Sequence, residues 1–197
     1  MKILIAGDSF AAQWPNGEEG WPYLLRLDHE VTNVAQAGVS EYRIYKQLER
    51  ANVNSYDAVI VAHTSPNRIY TPNHPVHKDG LHQHCDLIFT DLEAHYSLLN
   101  ESLAVAKGWF KHHYDQTFQD DIYRLLRKEI NEMIKIPYIS LNNLDVSKPF
   151  MFEKVGVDFS SLWAIERGNV NHYNTKGNQT IYAILKRELD SFNKKDV

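Results

Sequence analysis

Two residues far apart in this sequence invite chemistry together. Ile3, Leu4, Ile5 and Ala6 run straight into Gly7, Asp8 and Ser9, in the order GDS. A serine at the carboxyl end of a first buried strand sits where open α/β sheets place their sites. His172 lies in NVNHYNTKG, just before an amphipathic stretch near the other end. Serine is a weak nucleophile until a base takes its proton, and histidine does this near neutral pH. Asp8 and Ser9 also suit a plain helix cap, and His172 is one of ten histidines. Asn169, three residues before His172, could accept from the ring N–H and orient it. An amide cannot stabilise the imidazolium as a carboxylate would. Asp158 and Glu166 are the nearest carboxylates upstream.

Tetrahedral acyl chemistry also needs donors for a developing oxyanion. Gly38, in NVAQAG, could offer a bare N–H, or could simply ease a turn. Asn67, in HTSPNR, could donate its side-chain amide, or could serve a proline-bounded turn. His63 and Arg68 flank the same strand end and could touch a substrate acid group. His74, His77, His82 and His84 raise the question of a metal. Their spacing matches no zinc signature and no cysteine pair joins them, so a polar loop is expected, with no metal and no cofactor.

The elements that must position these groups follow from hydrophobic patterning. Strands are expected at Lys2–Ala6, Glu30–Val34, Ala58–Ala62, Pro137–Leu141 and, shorter, Val155–Phe159. AVIVA at 58–62 is apolar without alternation, as a strand covered on both faces should be. A helix is expected around Trp21–Leu27 and another from Ser40. A helical stretch is expected over Asp86–Lys107 with a break at Gly108, then helices over Thr117–Met133 and from Thr175 to about Leu189. The region 63–84 is a long loop fit to line a site. The expected fold is α/β: a three-layer α/β/α sandwich on a flavodoxin-like parallel sheet of about five strands. Right-handed crossovers then bring the loops after the strands to one sheet edge.

Length and charge narrow the function. A chain of 197 residues fits one domain over 1–197, with the 63–84 loop and a helical insertion at about 86–133. A net charge of -4 lacks the basic footprint of a nucleic-acid binder. No apolar run suits a signal peptide or a membrane span, and Cys85 is the single cysteine. A cytoplasmic protein with no membrane partner is the expectation.

Taken in order, the GDS block, Gly38, Asn67 and His172 resemble the SGNH, or GDSL-type, hydrolase family. The resemblance implies Ser9 as nucleophile and His172 as base. It implies an oxyanion hole from the Ser9 N–H, the Gly38 N–H and the Asn67 side chain. HTSPNR stands where the family has GxND, and Asn169 stands where its DxxH block has Asp. The implied function is a cofactor-free esterase cleaving a small acyl ester, such as an O-acetyl group on a carbohydrate. Two alternatives stand beside it: an O-acyltransferase on the same site, and a non-catalytic binding protein on a decayed hydrolase fold.

Overall fold

The computed structural model describes residues 1–14, 20–95, 100–144, 152, 155–170 and 172–193, with the side chains of 169, 170 and 193 outside that description. Its centre is a five-stranded sheet. The strands are β1 (Lys2–Gly7), β2 (Glu30–Asn33), β3 (Ala58–Ala62), β4 (Tyr138–Asn142) and β5 (Gly156–Asp158). All neighbouring pairs run parallel, in the order β2-β1-β3-β4-β5. The chain leaves β1 to one side for β2 and returns to the other for β3. The β1/β3 boundary is therefore the topological switch point, where such sheets open a crevice at their carboxyl edge.

Strand alternation sends side chains to two faces, and each face is covered. Ile3 and Ile5 of β1, Ala58 and Ile60 of β3, and Ile139 and Leu141 of β4 pack with α1 (Trp21–Leu25) and α7 (Thr175–Asn193). Leu4 and Ala6, with Val59 and Val61, pack with α2 (Glu41–Arg50) and α5 (Gln116–Met133). The result is the α/β/α arrangement expected from the pattern. Trp21 locks the first layer. Its Nε1 donates to the Phe10 carbonyl at 2.8 Å, and its backbone N–H donates to Asn178 Oδ1 at 3.0 Å, tying α1 to α7. No helix among the described residues is long and apolar enough to cross a membrane.

Outside the sandwich stand α3 (Phe89–Ala94) and α4 (Glu101–His113), where Leu92, Leu103 and Phe110 make a small core of their own. Here the structure departs from the expected single helix over Asp86–Lys107. Asp86 is wholly buried, and its carboxylate accepts from Ser40 N, Arg43 Nε and Thr71 N. Leu87 is held extended by an antiparallel bridge to Ile69. No helix can begin until those demands are met. A second helix starts after Asn100, whose side chain accepts from the Leu103 N–H. Gly108 lies inside α4 and does not end it. A mid-helix glycine costs about 1 kcal/mol, less than the burial of Phe110 two residues on returns. Two short elements are new: α6 (Ser160–Ile165) and β6 (Arg167–Val170).

Candidate functional site

Ser9 is placed by the way β1 ends. Gly7 has φ +149°, and a Cβ there would lie 2.5 Å from the Ala62 carbonyl oxygen on β3. Only glycine lets the chain run this close to its neighbour and then turn. The Asp8 N–H still reaches Ala62 O at 3.2 Å. The Asp8 carboxylate then accepts from Phe10 N at 2.9 Å, and its carbonyl from Ala11 N and Ala12 N, so residues 8–12 curl into a tight turn with Ser9 at its rim. Burial raises the Asp8 carboxyl to about 7, against the lowering effect of the Phe10 N–H and the Arg68 charge.

His172 arrives from the opposite end of the chain on a hairpin. Gly168 N donates to His172 O and Asn174 N to Glu166 O, while Arg167 and Tyr173 form an antiparallel bridge. His172 itself takes a left-handed φ of 62°, a conformation that a non-glycine residue holds only when its surroundings fix it. The surroundings do so. Tyr173, next in sequence, is buried and donates its hydroxyl to Asn143 Oδ1 at 2.7 Å. The His172 ring packs on Phe10 with centroids 4.5 Å apart and meets the edge of Trp14.

These placements put His172 Nε2 2.8 Å from Ser9 Oγ. Burial lowers the His172 pKa from 6.5, helped by the nearby positive charge of Arg68 and by His82. The ring is therefore neutral near pH 7, with a lone pair able to accept the Ser9 proton. Both residues open onto a cavity of about 340 Å³ lined also by Gly38, Arg68, Ile88 and Trp163.

The far nitrogen of His172 meets no carboxylate among the described residues. Glu166 is taken by Asn174 Nδ2 at 2.8 Å and Lys176 Nζ at 2.6 Å. Asp158 accepts from Asn142 Nδ2 and Ser160 N. Neither carboxylate rebuilds a triad. Asn169 lies on β6, and its side chain falls outside the described residues.

Of the expected oxyanion donors, the structure brings two to the cavity. Gly38 sits at φ +74° with its carbonyl accepting from Asp86 N at 2.8 Å and Arg68 Nη1 at 3.0 Å. No described residue accepts from the N–H of Gly38 or of Ser9. Asn67 is not brought there. It is exposed, and its Oδ1 accepts from Tyr114 Oη at 3.0 Å and Gln116 Nε2 at 2.8 Å. The turn closed by Arg68 N on Ser65 O sends residue 67 outward to the helical insertion and residue 68 inward. Arg68, weighed from sequence as a possible substrate contact, thus takes the inner position, and its Nε is buried without a hydrogen-bond partner among the described residues. His63 is also not in the cavity. It is 1% exposed, with Nδ1 2.6 Å from Glu41 Oε1 and Nε2 2.9 Å from Tyr138 Oη, so it joins α2 to β4.

Nothing in the sequence marks Cys85, Asp91 or Trp163, which also line the cavity. Histidine density marked the long loop, yet nothing in its spacing says that 77, 82 and 85 fold back over Ser9. Burial pushes the Cys85 thiol up to about 11, so it is no rival nucleophile.

No family model and no curated protein matches the chain. A solved structure of a protein from Lactobacillus plantarum is 15% identical, with a TM-score of 0.39, over 96% of each chain.

Proposed function

We propose that the protein is a serine esterase of the SGNH type, acting through an acyl-enzyme on Ser9. The single observation behind this reading is the 2.8 Å approach of His172 Nε2 to Ser9 Oγ at the rim of a cavity. Ser9 Oγ attacks the acyl carbonyl while its proton passes to His172 Nε2. The C=O electrons move onto the oxygen, which the Ser9 and Gly38 N–H groups receive. Collapse of that oxyanion expels the alcohol, which takes the proton from His172. Water repeats the sequence on the acyl-enzyme, with His172 again the base.

Arg68 takes over the third stabilising role expected of Asn67. Its fixed positive charge lines the same cavity as Ser9 and Gly38, and a charge facing a developing oxyanion needs no rearrangement during reaction. The cavity fits a small acyl ester, such as an O-acetyl group on a sugar. Phe10, Ile88, Leu144 and Trp163 give it apolar walls.

The test is labelling with a fluorophosphonate and mapping of the adduct, beside hydrolysis of p-nitrophenyl acetate. An adduct on Ser9, absent in Ser9→Ala, together with loss of turnover in that variant, is the expected result. A folded wild type that neither labels nor outpaces Ser9→Ala on any acyl length would instead make this a binding protein.

A further inference from the structure

His77, Cys85 and Asp91 also line the cavity, and with His74 they make a second group of reactive side chains. His74, His77, Cys85 and Asp91 each bring one ligand-type atom to a cluster in which all four lie within 4.8 Å of one another. Asp91 is the hub: its Oδ2 is 3.0 Å from His77 Nε2 and 3.5 Å from His74 Nε2. The His74 side chain is 0% exposed. Its Nε2 has no hydrogen-bond partner among the described residues. A buried polar atom aimed into a cluster of ligand atoms asks for a partner.

We propose that His74, His77, Cys85 and Asp91 form a site for a zinc-class divalent transition-metal ion, which clasps the long loop to α3. The donor set selects the metal. One thiolate and two imidazoles suit zinc or cobalt, whereas magnesium and calcium want oxygen throughout. The spacing fits as well. Two bonds of about 2.0–2.1 Å at a tetrahedral angle hold their ligand atoms about 3.4 Å apart. The two Asp91 separations, 3.0 and 3.5 Å, bracket that figure. The widest separation, within 4.8 Å, has to close by at most about 1.4 Å, inside the reach of side-chain rotation.

Ligation makes two demands on protons. His74 Nδ1 accepts from Val76 N at 3.2 Å and His77 N at 3.1 Å, which places the ring proton on Nε2. Binding through Nε2 moves that proton to Nδ1, and the turn gives up these two long bonds. The Cys85 thiol proton leaves to solvent as the sulfur–metal bond forms. Four protein ligands leave no open position, so the ion braces rather than reacts. The proposal does not rest on the esterase reading, since Ser9 and His172 are not ligands.

The experiment is a cobalt(II) titration of the untagged full chain after treatment with a chelator, read by absorption. Cys85 is the single cysteine, so a thiolate-to-cobalt charge-transfer band can come from nowhere else. One equivalent should give that band with the intense visible bands of tetrahedral cobalt. Cys85→Ser should abolish the charge-transfer band, and Asp91→Asn and His77→Ala should each weaken binding by about 100-fold or more. Ser9→Ala should keep the full spectrum. A wild type showing only weak octahedral absorption would overturn the proposal, and this readout needs no variant to fold. So would a charge-transfer band that persists at unchanged affinity in a folded His77→Ala/Asp91→Asn double variant.

Discussion

Replacing Gly38 by alanine should strain the site at its centre, and the strain has two separable parts. The backbone there holds φ +74°, which costs an L-residue with a Cβ about 1–2 kcal/mol. The added Cβ would also stand 2.7 Å from Cys85 Cβ, far inside carbon–carbon contact. Overpacking of that kind costs about 1–3 kcal/mol. Together they make Gly38→Ala less stable by about 2–5 kcal/mol, a large share of the roughly 5–15 kcal/mol a folded domain has. The two parts come apart in a double-mutant cycle with Cys85→Gly, measured by urea unfolding with a chelator present. Cys85→Gly removes the atom in the way and leaves the dihedral as it is. In that background Gly38→Ala should cost only about 1–2 kcal/mol, giving a coupling energy of about 1–3 kcal/mol. Equal costs in both backgrounds would refute the packing argument, and no cost in either would refute the placement of Gly38.

Three further outcomes follow from the same geometry. Arg68→Met should lower kcat for a small acetyl ester by about 100- to 1000-fold; because the Arg68 charge lowers the His172 pKa, the acid limb of the pH–rate profile, expected below 6.5 in the wild type, should move to higher pH, and an unmoved limb with unchanged kcat would remove Arg68 from the mechanism. Asp8, raised from 3.8 to about 7 in the folded protein, keeps a proton that the unfolded chain has released, so its contribution is full below 3.8 and lost as pH rises through about 7; urea unfolding should show a decline in wild-type stability over that window, of about 4 kcal/mol at most, that Asp8→Asn lacks. Asp86→Asn should cost about 3–5 kcal/mol, because the buried Asp86 carboxylate holds Arg43 and two backbone N–H groups, and a thermal midpoint within a degree or two of wild type would show that the long loop is anchored elsewhere.

Much of the frame was legible because it obeys local rules. The Ala58–Ala62 strand is read to the residue, since a central parallel strand has to be apolar on both faces. Topology accounts for Ser9, at the carboxyl end of β1, whereas His172 is carried to it on a hairpin outside the sheet. What stayed hidden depends on contacts distant in sequence. Asp86 looks like the start of a helix until Ser40, Arg43 and Thr71 claim its carboxylate. Asn67 and Arg68 are adjacent, and one turn of backbone decides which of them faces Ser9. His74 and Asp91 meet only because α3 folds back over the loop, so no spacing rule along the chain could have joined them.

The arrangement around His172 separates two jobs that a triad carboxylate performs at once: aiming the ring and stabilising its charge. Here the aiming is done by packing. The left-handed backbone, the buried Tyr173 beside it and the Phe10 ring at 4.5 Å hold the imidazole on Ser9 without a carboxylate among the described residues. The second job is reversed. Every charged or chargeable group that shifts His172 lowers its pKa, Arg68 first among them. In the proposed role His172 is a base already neutral at pH 7, and protonating it sets an imidazolium in the field of the Arg68 charge. On the proposed reaction the same guanidinium gains when an oxyanion forms, because the negative charge would then lie in the cavity with both cations. The pair therefore favours reactions in which charge separates between His172 and a group held beside Arg68. That is the charge pattern of acyl transfer from Ser9, and it gives Arg68 a reason to lie inward where Asn67 does not.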